Sequence, residues 1–290
     1  MRASTRACAV GWVLTIASLA TAQDIGPAYG YPLHEEPPDF AAWNAAPPES
    51  VPPDPEGDRT GLTDEASSVF AGRLQIESGY SFVYDSDGPF SGTQHYFPDL
   101  LLRYGLTDRL EIRFGWPGWQ WTSIEGPALE ASDSETLDPN FGIMYDLRPQ
   151  EGIMPQTAVL VAIPVAFDGN PFAVAGWQPL SELMYLWRLS ERTAIVGSTG
   201  FGLFSHGRDD YLQMQQSLGC DWAATDRVST FMEWETFVDY GSADDGAQHL
   251  LGGGCTYLLD DQFEIGWRTG LGLNERAPDF LTGIRFTLRL

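Results

Sequence analysis

From Arg73 to Leu290 the chain repeats short runs in which apolar and polar side chains alternate one by one. In Gln262–Leu273, Phe263, Ile265, Trp267, Thr269, Leu271 and Leu273 take one parity; Gln262, Glu264, Gly266, Arg268, Gly270 and Gly272 take the other. In Phe280–Leu290, Phe280, Thr282, Ile284, Phe286, Leu288 and Leu290 alternate with Leu281, Gly283, Arg285, Thr287 and Arg289. A period of two belongs to a β-strand with one oily face and one polar face. The pattern recurs about twelve times, so the chain is expected to be built almost wholly of β-strands.

The connections between runs carry the next constraint. Short ones are Leu106-Thr107-Asp108-Arg109, Leu189-Ser190-Glu191-Arg192, Ala224-Thr225-Asp226-Arg227 and Leu259-Asp260-Asp261-Gln262, with a looser Arg148-Pro149-Gln150-Glu151-Gly152. Ser, Thr and Asp close such turns by accepting hydrogen bonds from nearby backbone amides. Longer polar stretches lie between them: Asp85–Thr93, Ser123–Asp138, Asp168–Gln178, Ser205–Asp210, Gly241–Gln248 and Asn274–Asp279. Five short and six long connections in alternation give twelve strands, with both termini on the short-turn side. Outer-membrane barrels have an even strand number, short periplasmic turns and longer outer loops. In hydrocarbon an open sheet edge leaves amides unpaired, so only a closed barrel is viable. The expected fold class is all-β: an antiparallel up-and-down transmembrane β-barrel of about twelve strands over residues 69–290, preceded by a disordered Pro-rich segment. A soluble β-sandwich would share the alternation. The parity of the connections and the aromatics Trp116, Trp222, Tyr257 and Trp267, expected near strand ends, favour the membrane.

Residues 1–22 have the form of a secretory signal: Arg2 and Arg6, the apolar run Ala7–Ala20, and the small-residue site Ala20-Thr21-Ala22. Residues 23–68 hold nine prolines, many carboxylates and one basic residue, Arg59. Such a segment cannot bury enough apolar surface to fold alone and is expected as a semi-rigid periplasmic linker. The expected location is the bacterial outer membrane, reached through a cleaved signal peptide. A formal charge of −24 argues against a nucleic-acid partner, which needs a basic footprint. The partners expected are membrane lipid and small-molecule solutes; the oligomeric state stays open. Cys220 and Cys255 fall on alternate strands, roughly 9–10 Å apart. A disulfide needs Cα atoms within about 7 Å, so two free thiols are expected.

If the apolar parity faces lipid, the other parity faces the interior. This assigns inward Arg73, Gln75 and Glu77; Asp99 and Arg103; Glu111 and Arg113; Glu182 and Arg188; and Gln213, Gln215 and Ser217. It also assigns Phe231, Glu233, Glu235, Phe237 and Asp239; Glu264 and Arg268; and Arg285 and Arg289. Two readings stay open. The charges cross-pair into a plug, or they line a polar conduit with carboxylates opposite arginines. Phe231 and Phe237 are either an apolar step for aromatic solutes or the sign of a bulge that shifts the register. Gly252-Gly253-Gly254 lies inside a strand, where glycine lets large side chains pack closely.

No catalytic chemistry is assigned. None of His34, His95, His206 and His249 has a Ser or Asp at a spacing that suggests a nucleophile–base pair. There is no metal-ligand spacing and no Gly-rich phosphate loop, so no metal and no cofactor is expected. Asp209-Asp210 and Asp244-Asp245 fit solvated loops.

One unit recurs: Gly105-Leu106-Thr107-Asp108-Arg109-Leu110-Glu111-Ile112, followed by the aromatic-glycine exit Phe114-Gly115-Trp116. Echoes lie in Trp222–Val228 and Leu258–Ile265. Over Gln75–Leu290 this pattern resembles the bacterial outer-membrane family labelled for the MetA pathway of phenol degradation. The resemblance implies an outer-membrane barrel acting as a passive channel or transporter for small molecules, aromatic or hydrophobic compounds among them. It carries over no site residues, and the Pro-rich lead segment is outside the family pattern. The alternative is a structural outer-membrane protein with a plugged barrel and a periplasmic tether.

Overall fold

The structure, a computed structural model, describes residues 66–165, 179–206, 209–241 and 245–290. The expected signal, most of the lead segment, His34 and the loop 168–178 lie outside the described residues. The described chain forms β1 (Leu74–Asp87), β2 (Phe90–Thr107), β3 (Leu110–Gly126), β4 (Leu129–Thr136), β5 (Asn140–Arg148), β6 (Gln156–Pro164) and β7 (Leu180–Arg188). There follow β8 (Thr193–His206), β9 (Asp209–Ala223), β10 (Val228–Tyr240), β11 (Gly246–Leu258), β12 (Phe263–Gly272) and β13 (Phe280–Arg289).

All pairings between these strands are antiparallel, and the sheet closes on itself through β1 and β13. At that seam Ile76 faces Leu288, Tyr80 faces Ile284 and Tyr84 faces Phe280. Twelve strands form the barrel and β4 is extra. The first half of β3 pairs with β5, Leu110 opposite Tyr145 through Gly115 opposite Asn140. Its second half leaves the barrel and pairs with β4, Trp119 opposite Thr136 through Gly126 opposite Leu129. The stretch 123–138, expected as a loop, is therefore largely a hairpin. Most of β4 is exposed on both faces, so no burial imposes an apolar alternation on it. Likewise 85–93 is mostly paired strand around a tight turn at Gly88 and Pro89.

The short turns close by the chemistry their sequence suggests. The Thr107 hydroxyl accepts from the amides of Arg109 at 3.2 Å and Leu110 at 3.0 Å. Thr225 accepts from Arg227 at 3.2 Å and Val228 at 3.0 Å. Asp260 accepts from Gln262 at 2.9 Å and Phe263 at 2.8 Å. A side chain that satisfies two amides two and three residues on fixes the hairpin register at its tightest point.

Alternation then separates the two faces. Outward residues stay exposed: Phe141 54%, Leu271 55%, Ile284 45%. Their inward neighbours are buried, with Glu77, Arg103 and Glu111 at 0%. Apolar outside and charged inside is the inverse of a soluble core, and it suits a barrel whose exterior solvent is hydrocarbon. Cys220 and Cys255 are free and lie on β9 and β11, on either side of β10.

Candidate functional site: the barrel interior

The arc of inner wall running from β10 through β13 and β1 to β3 is charged. Its turn-side level centres on Glu111. Arg103 donates from Nε to Oε1 at 2.8 Å and from Nη2 to Oε2 at 3.1 Å, a two-pronged pairing. Arg113 Nε donates to the same Oε1 at 2.6 Å. Arg103 also lies 3.7 Å from Glu77, which accepts from Gln75 at 3.0 Å. Beside this group Arg289 donates to Glu264 at 3.0 Å.

One level further along the strands, Arg285 reaches across β1 to Asp99 on β2. Its Nη2 donates to Asp99 Oδ2 at 2.8 Å and its Nη1 to the Asp99 carbonyl at 3.0 Å. The reach crosses Gly79, where a Cβ would come within 2.8 Å of Arg285 Nη1. Asp99 sits at a bulge in β2 with φ +39, a backbone region that Asp tolerates better than most residues. The bulge lets Tyr96 and Asp99, of opposite parity, both be buried. Arg268 donates to Ser81 Oγ at 3.2 Å and shares its electrostatic surroundings with Arg285, Asp99, Glu233 and Glu235. Positive and negative groups therefore alternate around the wall, and burial without pairing would be costly.

The arc formed by β5 to β8 is different. Met144, Ala158, Leu160, Ala162, Leu180, Met184, Leu186 and Val196 form one buried apolar cluster on the inner face. Arg113 Nη2, 2.8 Å from the Met144 sulfur, joins the two arcs. Between the apolar arc and β10, β9 presents neutral polar groups. Gln215 donates to Glu182 at 3.0 Å, Gln213 donates to Asp239 at 2.8 Å, and the Ser198 and Ser217 hydroxyls lie 2.8 Å apart. Towards the loop side a second apolar cluster spans the wall: Val83, Tyr96, Leu137, Leu250, Ala277 and Leu281, with Phe237 packed against it. Among the described residues no group of His, Cys, Asp or Glu is placed to hold a metal ion.

The sequence profile of the family described as "Putative MetA-pathway of phenol degradation" matches residues 57–290. The chain belongs to this family. No curated protein sequence matches it. Among solved structures, the translocator domain of the autotransporter NalP from Neisseria meningitidis is 11% identical with a TM-score of 0.50, covering 75% of this chain and 88% of that one. The β domain of the Bordetella autotransporter BrkA is 8% identical with a TM-score of 0.51, covering 76% and 100%. The CymD monoaromatic hydrocarbon channel is 10% identical with a TM-score of 0.42, covering 77% and 89%. At such identities the two autotransporter domains show a shared outer-membrane barrel fold and nothing of function.

Within this family member, the structure brings most of the sequence-assigned interior residues into the charged arc just described. Asp99, Arg103, Glu111, Arg113, Glu233, Glu235, Glu264, Arg285 and Arg289 are all buried. Phe237 instead joins the loop-side apolar layer, and Asp239 stands beside Gln213. β10 pairs with β9 and β11 without a register shift, so a bulge does not account for Phe231 and Phe237. Phe231 lies over Gly254, where a Cβ would meet its ring at 2.6 Å. Arg188 sits exposed at the turn-side rim and donates to Gln156 at 2.8 Å. His95 is 2.7 Å from the Tyr80 hydroxyl, and the His249 ring stacks on Trp234.

The apolar arc was missed by parity. In Thr157–Ile163 nearly every residue is apolar, so alternation vanishes. A short continuous apolar run is itself the signature of a strand with both faces covered, and that signal was available. The second omission is Ala66–Val69, whose backbone lies inside the turn-side end. Residues 66–68 close the segment assigned to a linker and Val69 opens the barrel domain, and composition gives no sign of where either lodges.

Proposed function

We propose that this protein is a passive outer-membrane conduit for small molecules that carry an apolar, aromatic body and a polar substituent. The observation that supports this reading is the two-sided inner wall. A solute between the arcs would set its apolar body on Met144, Leu160, Met184 and Leu186, and its hydroxyl or carboxylate toward the arginine–carboxylate wall. Ligand sites commonly combine mostly apolar lining with a few placed polar groups. The family description, with its reference to phenol degradation, is consistent with that solute class.

The test is swelling of liposomes containing the purified protein. Phenol and benzoate are compared with sugars of similar size, with planar-bilayer conductance in parallel. The reading expects faster entry of the aromatic solutes and stepwise conductance. No conductance and no swelling from correctly folded protein would refute transport and leave a plugged structural barrel, the reading that the near-complete burial of the charged arc would then favour.

A further inference from the structure

Ala66–Val69, a few residues before β1, do not hang below the barrel. Ala66, Ser68 and Val69 are almost fully buried. Their backbone is held by interior side chains of four consecutive barrel strands. Arg103 on β2 donates to the Ser67 carbonyl at 2.8 Å. Glu111 on β3 accepts from the Val69 amide at 2.6 Å. Asp146 on β5 accepts from the Ser68 hydroxyl at 2.7 Å and from its amide at 3.4 Å. Gln156 on β6 donates to the Ala66 carbonyl at 2.8 Å and to Ser67 Oγ at 2.9 Å. Ala66 packs into the apolar arc. The chain then leaves along Gly105, where the Gly72 amide donates to the Gly105 carbonyl at 2.8 Å. A Cβ on Gly105 would fall 2.1 Å from the Phe70 carbonyl oxygen and 2.3 Å from that of Val69.

We propose that Ala66–Val69 is a built-in latch that shuts the turn-side end of the conduit and must be displaced for a solute to cross; this rests on the conduit reading above. Three features make it a latch and not a strand of the wall. It adds no rung to the barrel, because every bond that holds it involves a side chain rather than a backbone pair. Its side chains are small, so withdrawal leaves no large apolar group without cover. Its anchors bridge both arcs: Arg103 and Glu111 belong to the charged one, while Ala66 occupies apolar surface that a solute's ring would use. Solute and latch therefore compete for one surface, and a ligand that binds only the unlatched state shifts the population toward it. Arg103, Glu111 and Arg113 keep one another as partners when the latch leaves, and the charged anchor that gives up its side-chain bonds is Asp146, which releases Ser68.

The test uses the full chain in three backgrounds. Gly105→Ala places a methyl where the latch backbone lies. Gln156→Leu removes two donors to the latch without adding bulk there. Gly92→Ala is the control on the same strand, with only ordinary contact, 3.6 Å, at its Cβ. Heat-modifiable gel mobility reports folding. Each background also carries Ser68→Cys with Cys8, Cys220 and Cys255 changed to Ala, and is labelled with a water-soluble maleimide. The expectation is that labelling at position 68 quickens about tenfold in Gly105→Ala and Gln156→Leu, the factor expected from losing one or two neutral hydrogen bonds or from an equal steric cost. Open-channel dwell time should lengthen several-fold in the same two variants, and Gly92→Ala should behave as the parent. Faster labelling with unchanged conductance from a conducting parent would overturn the latch as a gate. Equal labelling in all three folded backgrounds would overturn its displacement by these changes and with it the latch. Faster labelling of a barrel that never conducts would instead refute the conduit reading while upholding the seat of the segment.

Discussion

The two arcs of the inner wall solve one problem in opposite ways. Both are sealed from water, but the β10–β3 arc is filled by paired charges and the β5–β8 arc by Met, Leu, Ala and Val. In the charged arc the strands alternate apolar-out, polar-in on their turn-side half, broken by the β2 bulge and the loop-side apolar layer. In the apolar arc both faces of β6 are apolar, so its burial alternates while its polarity shows no period. The difference teaches that a barrel interior needs filling, not polarity as such. Charges hold their positions by a partner on a neighbouring strand, so they specify which strands meet. Apolar groups hold theirs by volume, so a small side chain from outside the strands, Ala66, can share their surface.

The comparison breaks first at Glu111, which holds two arginines and the Val69 amide. Glu111→Gln should destabilise the barrel by about 3–5 kcal/mol, the usual loss when one member of a buried ion pair is removed. Urea unfolding in detergent micelles measures it, and a cost under about 1 kcal/mol would show the charged arc to be incidental packing. Next, Ile284→Arg, at the middle of β13 on the exposed face, should cost about 2–4 kcal/mol in lipid. A negligible cost in vesicles would mean that this face does not meet hydrocarbon.

Met184→Ala sharpens the contrast. It should cost about 2–3 kcal/mol as a buried truncation while admitting aromatic solutes faster in the swelling assay. Ion preference should stay put, because no charge changes. A shift in ion preference would place Met184 on the ion path and undo the division of labour between the arcs. The smallest effect on stability belongs to the pair Glu233→Gln and Glu235→Gln, each expected within about 1.5 kcal/mol, since neither carboxylate gathers two arginines and a backbone amide as Glu111 does. Reversal potentials across a salt gradient should show a weaker cation preference. An unchanged reversal potential would remove both residues from the ion path.

Much of this architecture is legible along the chain because membrane barrels obey local rules. Thr107, Thr225 and Asp260 announce turns whose geometry is settled within three residues. The twelve-strand count follows from counting those turns against the longer stretches between them. β4 escaped because a hairpin outside the barrel buries neither face and carries no imposed pattern. The interior side of Glu233, Arg268 and Arg285 could be named from parity alone, but not that Arg285 would cross Gly79 to find Asp99, 186 positions away.

What the sequence determined by itself, then, is the period, the turns and hence the closed antiparallel sheet, since each depends only on residues a few places apart. Which charges meet across the seam, where the wall turns apolar, and that Ala66–Val69 lies within the turn-side end were decided only by closure. Closing the ring sets strands distant in the chain side by side, and contact energies depend on separation in space.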